Sequence, residues 1–175
     1  MKKGIQGMNY LWRYTSELGP ITMTSDGTAL TGLWLEGQKG MDDFSSGEYV
    51  EKELSIFQDT CHWLDRYFQG QDPGPIPPVS MEGTSFRKQV WQILQTIPYG
   101  QTVTYGQIAA QVAAFQGKAR MSAQAVGGAV GHNPISIIVP CHRVIGADGS
   151  LTGYAGGLDK KIKLLMLEGV ELSCQ

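Results

Sequence analysis

Cysteine is scarce in this chain. Three cysteines among 175 residues make no even set and no CxxC pair. That excludes a disulfide-stapled secreted domain and offers no zinc-ligand spacing. Long apolar runs are missing too, and none approaches the ~20 residues of a membrane span. Met1-Lys2-Lys3-Gly4 is not followed by an apolar signal core, so a cytoplasmic protein is expected. No internal repeat is present. Neither charge sign dominates: 14 Lys/Arg stand against 16 Asp/Glu, a net charge of −2, which does not announce a nucleic-acid binder. The balance is uneven along the chain, however. Residues 1–83 hold six Lys/Arg and twelve Asp/Glu, net −6, while residues 84–175 hold eight and four, net +4. Such asymmetry weakly suggests that the second half meets a polyanion. A merely uneven solvated surface is the plainer reading.

What is present is enough for a proper core, in one domain or two small ones. Residues 8–36 alternate and turn like a small antiparallel sheet. Asn9 to Tyr14, Ile21 to Thr24 and Leu30 to Leu35 are its strand candidates, and Ser25-Asp26-Gly27-Thr28 its hairpin turn. Gly37 to Gly47 reads as a polar loop. Tyr49 to Phe68 reads as a helix with Leu54, Phe57, Cys61, Leu64 and Phe68 on its apolar face. Cys61 is then core, and His62 lies beside the stripe as a structural histidine. Six Gly and Pro residues between Gly70 and Pro78 make a stiff, helix-free linker. The domain boundary is therefore placed near residue 80, giving units 1–80 and 81–175.

The second unit reads as mostly helical. Thr84 or Ser85 caps a helix carrying Phe86, Val90, Ile93, Leu94 and Ile97. Thr104 to Val112 is a short helix. Ser122 caps Ala123 to Val130, which Gly131 closes. Two short helices joined briefly resemble a helix-turn-helix. The second is almost entirely Ala, Gly and Val, and such small side chains suit close approach, to another helix or to a nucleic-acid backbone. A last helix runs from about Leu158 to Glu168, with Leu158, Ile162 and Leu165 facing inward.

The chemistry gathers at Pro140-Cys141-His142-Arg143-Val144. An apolar run, Ile135 to Val139, leads in as a short buried strand that Pro140 ends. Gly146 to Ser150 follows as a turn. A lone cysteine is more often an inert core residue. Beside an imidazole it can become a thiolate nucleophile. Neighbours on an extended strand point to opposite faces, so Cys141 and His142 need a backbone bend or a bridging water to cooperate. A third group should orient the imidazole. Glu168 is the candidate, because a carboxylate at a helix C-terminus opposes the dipole and asks for a specific partner. The glycines of Leu151 to Gly157 would let backbone approach a ligand, and Tyr154 could stack on an aromatic one.

These residues resemble a known family. Asn133-Pro134, Ile138-Val139-Pro140-Cys141-His142-Arg143-Val144-Ile145-Gly146, Gly153-Tyr154-Ala155-Gly156-Gly157-Leu158 and Leu164-Leu165-Met166-Leu167-Glu168-Gly169 look like the methylated-DNA–protein-cysteine methyltransferases. The likeness covers roughly residues 84–170. It implies an α+β protein: a small N-terminal ribonuclease-H-like α/β domain, then a mostly helical C-terminal domain with a winged-helix-like helix-turn-helix. It implies stoichiometric, irreversible transfer of an alkyl group from O6 of guanine, and from O4 of thymine, in duplex DNA to a cysteine. Such proteins enter the minor groove and rotate the damaged base out of the stack. They need no cofactor and no metal, and one DNA site needs only a monomer.

The resemblance also assigns roles. Cys141 is the acceptor, His142 the base through a water, Glu168 its orienter. Asn133 braces the turn, and Tyr105 contacts the flipped base and donates a proton to the leaving guanine. Tyr154, Ala155, Gly156 and Val130 would line the base pocket, with Lys161 near it. Thr104, Ser122, Ala123, Gln124, Ala125, Gly127, Gly131 and Arg143 would face DNA, Arg143 also tying the site loop to neighbouring backbone. Gln124 departs from the family, which commonly has an arginine there to fill the gap left by the flipped base. Other readings stay open. A non-enzymatic binder of alkylated DNA would carry tryptophan in place of Cys141. A cysteine hydrolase would need turnover and an oxyanion hole. A transcription regulator would leave the Cys-His-Glu set unexplained.

Overall fold

A computed structural model describes residues 8–38, Met41, Phe44 and residues 48–172. Residues 1–7, most of the loop from Gly37 to Gly47, and Cys174 lie outside or largely outside that range. The fold is mixed α+β. Strands β1 (Asn9–Ser16), β2 (Gly19–Ser25) and β3 (Leu30–Leu35) form an antiparallel meander. The Asp26 carboxylate accepts from the backbone N–H groups of Thr28 and Ala29 and fixes the expected β2–β3 turn.

A fourth strand, β4 (Tyr49–Glu51), pairs parallel with β1 on the far edge. It replaces the first turns of the helix expected from Tyr49. Helix α1 starts only at Ser55 and ends at Phe68. Tyr49 and Val50 suit a strand, and β1 offers them an open edge. The inward face of α1 is also rotated from the expected one. Ile56, Phe57, Thr60, Trp63, Leu64 and Tyr67 are buried, Cys61 and Phe68 flank them half-buried, and His62 is exposed. That rotation brings Tyr67 inward.

The free edge of β3 is claimed by the second half of the chain. Residues 70–78 contain no helix. At their end Pro78 accepts from Leu30 N–H, and Ser80 N–H donates to the Leu30 carbonyl. Further along, Leu33 N–H donates to Pro134 and the Leu33 carbonyl accepts from Ser136 N–H at 3.0 Å. An otherwise exposed sheet edge is thereby covered, and the segment before Cys141 is pinned to the N-terminal sheet.

Helices α2 (Ser85–Leu94), α3 (Tyr105–Gln116) and α4 (Ala123–Gly131) pack together. Thr84, of the two candidates, and Ser122 cap α2 and α4 as expected, while Thr104, expected as the first helical residue, caps α3; each side chain accepts from the third backbone N–H of its helix. Gly131 does not close α4 in a left-handed conformation. The helix runs through it to His132, whose ring Nδ1 bonds the Gly128 carbonyl at 2.7 Å. Strands β5 (Val103–Thr104) and β6 (Val144–Ile145) pair in parallel. Helix α5 (Leu158–Leu167) buries Lys161, Leu164 and Leu165, whereas Leu158, expected inside, is exposed and Ile162 half-buried. One hydrophobic cluster runs from Ile21 and Leu33 through Phe57 and Trp91 to Leu164. Among the described residues no helix is long and apolar enough to cross a membrane.

Candidate active site

The segment leading to Cys141 is not a strand. Only Ile135 pairs, with Leu33. The chain then turns, and Ile137 adopts φ 69°. A β-branched residue there is strained, at a cost on the order of 1–3 kcal/mol. Packing and hydrogen bonding hold it: Ile137 is fully buried, and Asn133 spans the turn. Its Nδ2 donates to Val139 at 2.8 Å and to Ile135 at 3.2 Å, while its Oδ1 accepts from Ile135 N–H. The bracing role expected of Asn133 thus has a geometry. The Ser136 hydroxyl meets Oε1 of the buried Gln38 at 3.0 Å.

After Pro140, Cys141–Arg143 form one turn of 3-10 helix rather than extended chain. The bend removes the strict face-to-face opposition of neighbours on a strand. Cys141 is 6% exposed and His142 0%. Nε2 of His142 lies 2.6 Å from Oε2 of Glu168. An imidazole that donates from Nε2 carries its lone pair on Nδ1, and Nδ1 is buried with no protein partner. Burial lowers the His142 pKa, against the opposing pull of Glu168, so the ring is neutral near pH 7. Burial likewise raises the Cys141 thiol, with Asn133 and Lys161 pulling the other way. A raised thiol beside a neutral imidazole is a resting state that reacts only by handing over its proton.

Glu168 is the hub. It follows α5 as its C-cap and is buried. Its Oε1 accepts from Gly100 N–H at 2.9 Å and from Arg143 Nε at 2.8 Å. Its Oε2 accepts from His142, from the Tyr67 hydroxyl at 2.6 Å and from Arg143 Nη2 at 3.1 Å. Burial alone would raise this carboxyl; the hydrogen bond from His142 and the Arg143 guanidinium outweigh it and hold it down at about 2. Gly100 reaches the carboxylate from φ 81°, a left-handed conformation glycine adopts freely.

With this geometry in place, known proteins supply a frame. The family described as 6-O-methylguanine DNA methyltransferase matches twice, its ribonuclease-like domain at residues 10–74 and its DNA-binding domain at residues 85–170. The chain belongs to this family. A methylated-DNA–protein-cysteine methyltransferase of Mycolicibacterium paratuberculosis is 53% identical over 87% of this chain and 88% of its own. One from Methanosarcina acetivorans is 45% identical over 89% and 96%. The crystal structure of Mycobacterium tuberculosis OGT in complex with DNA has a TM-score of 0.78 at 40% identity, covering 91% of this chain and 92% of that one.

The remaining expected residues lie around Cys141 or on the outer side of the helices. Tyr105, half-buried at the start of α3, has its hydroxyl 3.3 Å from the Thr152 hydroxyl and its ring against Gly127. Tyr154 lies beside Cys141, Val130 is buried in the same hydrophobic cluster, and Ala155 and Gly156 are half-buried. Gly156 has space only for hydrogen on that side: a Cβ would sit 2.7 Å from Leu35 of β3. Lys161 is buried, its ammonium donating to Val144 and Thr152 carbonyls at 2.7 and 2.8 Å. It staples the strand after Cys141 to the loop before α5.

On the outer side, Ser122, Ala123, Gln124, Ala125 and Gly131 are exposed around α4, while Thr104 and Gly127 are half-buried. Arg143 is the correction. It was expected at DNA, but it is 7% exposed, engaged with Glu168 and donating to the Ile97 carbonyl at 2.7 Å. With three of its five N–H groups committed inward and the side chain buried, the guanidinium is not presented to a phosphate. Sequence reasoning missed Tyr67, Gly100 and Gln38. The alternative stripe Thr60, Trp63, Leu64 and Tyr67 on α1 was a usable signal for the first.

Proposed function

We propose that this protein repairs duplex DNA by moving an alkyl group from O6 of guanine, and from O4 of thymine, onto Cys141, once per molecule. His142 takes the thiol proton at Nδ1 through one water molecule. The thiolate attacks the alkyl carbon, an S–C bond forms, and the C–O6 bond breaks with its electron pair remaining on guanine. Tyr105 supplies a proton to the leaving base. The thioether has no route to hydrolysis, so the molecule is spent.

The observation that carries this reading is a buried cysteine preceding a buried imidazole whose far nitrogen is held by a saturated carboxylate. Glu168 has five donors, so it orients His142 and stabilises an imidazolium without becoming a proton acceptor itself. Tyr154, Ala155, Gly156 and Val130 would receive the rotated base, and the exposed first turn of α4 would enter the minor groove. Damage-site selection by base rotation fits a reactive group that lies too deep for a stacked base. Units 1–80 and 81–175, a monomeric state and a cytoplasmic location complete the proposal.

Intact mass after incubation with a duplex carrying one 6-O-methylguanine, followed by peptide mapping, tests it. One methyl group per protein on Cys141 is expected, saturating there. Tight binding with no mass gain would replace transfer with lesion binding.

A further inference from the structure

We propose that Tyr67, from the N-terminal half, is a positioning residue of the acceptor site. Its hydroxyl lies 2.6 Å from Oε2 of Glu168 and 3.3 Å from Nε2 of His142. The side chain is fully buried. Its ring stacks on Trp63 at 5.6 Å and meets the His142 ring edge-on at 6.4 Å. Tyr67 thus joins His142 Nε2 and Arg143 Nη2 as a third donor on one carboxylate oxygen, and the tyrosine has only one proton to give.

That arrangement fixes the imidazole. With Tyr67 donating to Glu168, its hydroxyl cannot also donate to Nε2, so Nε2 must carry hydrogen and Nδ1 must carry the lone pair. Burial and the neighbouring carboxylate keep the phenol well above its ordinary range, so it stays a donor throughout the working pH range. The hydroxyl also shares the carboxylate's charge and limits how strongly Glu168 stabilises an imidazolium. His142 is faced by Glu168 and Lys161 from α5, Tyr67 from α1, Tyr154 from the loop before α5, and its neighbours Cys141 and Arg143. Of these, Tyr67 alone comes from the ribonuclease-like half. That half then acts on the chemistry instead of only carrying the other domain.

The inference rests on transfer to Cys141, and Tyr67→Phe tests it. The substitution keeps the ring contacts and removes one hydroxyl. Single-turnover methyl transfer is expected to slow about tenfold, the rate equivalent of one charge-assisted hydrogen bond. A carboxylate short of one donor holds the imidazolium more firmly, so the acid limb of the rate profile should move up by about half a pH unit or more. Tyr99→Phe, which removes a hydroxyl 3.5 Å from the Leu167 carbonyl and not bonded to Glu168, should leave both unchanged. A Tyr67→Phe profile like wild type, or equal effects in the two variants, overturns the positioning role. Nitrogen NMR of the unmodified protein decides the matter if Tyr67→Phe does not fold: hydrogen on Nε2 and a slowly exchanging Tyr67 hydroxyl are expected, and hydrogen on Nδ1 overturns it. A wild-type protein that gains no methyl would instead overturn the transfer reading, which the tautomer measurement does not touch.

Discussion

Arg143→Met removes a guanidinium and keeps most of the stem's volume. In the native site its Nε and Nη2 donate to both oxygens of Glu168 at 2.8 and 3.1 Å, and Nη1 donates to Ile97. Arg143 is the Lys or Arg ion-paired with Glu168 among the described residues. Against burial, the carboxyl is held down at about 2 by His142 first and by Arg143 after it, so Arg143 supplies only part of that depression. Removing one partner of a buried pair costs ~3–5 kcal/mol. With His142, Tyr67 and Gly100 still donating to the carboxylate, the expected loss is at the lower end, ~3 kcal/mol near neutral pH, or roughly 6–12 °C in Tm for a chain of this size.

The sign of the pH dependence follows. In wild type the Glu168 pKa is depressed, so its stabilisation is present above the unfolded value of ~4.3 and lost as pH falls toward about 2. In the variant the buried carboxylate lacks its cation, and burial, the largest influence on it, lifts its pKa above the unfolded value, so the variant loses stability as pH climbs above ~4.3. Urea unfolding at about pH 5 and about pH 7.5 should therefore show a smaller gap between the two proteins at the lower pH. A loss under ~1 kcal/mol, or the same loss at both values, would refute the account of Glu168 as a carboxylate held by Arg143.

Two further substitutions probe the pocket and the DNA face. Gly156→Ala places a Cβ 2.7 Å from Leu35 and should cost ~1–3 kcal/mol and slow transfer; adding Leu35→Ala should recover part of the rate, and strictly additive losses in the double variant would separate the two residues. Gln124→Arg on the exposed first turn of α4 should tighten duplex binding and steepen its salt dependence by about one phosphate contact; unchanged affinity and repair rate would show that the glutamine is no handicap.

The sequence by itself determined the elements whose signals are local. The Ser25–Thr28 turn and the caps at Thr84 and Ser122 depend on side chains bonding their own backbone a few residues away, and the Gly- and Pro-rich stretch at 70–78 on backbone properties of its own residues. The Cys-His dipeptide and the dipole misfit at Glu168 were legible in the same way. Where a position was set by a distant partner, the reading failed or stayed silent. β4 exists because β1 offers it an edge. Ile135 leads into a turn because Asn133 bridges it and Leu33 claims its neighbours. The face of α1 is turned toward the second half of the chain, and only that packing brings Tyr67 to Glu168, 101 residues away. Arg143 was placed at DNA and Lys161 near the base pocket, and neither was expected to be buried, for the same reason. Nothing local shows that a carboxylate or a pair of carbonyls will meet a long basic side chain inside the core. A buried charge persists only where folding supplies its partners, and those partners come from elsewhere in the chain.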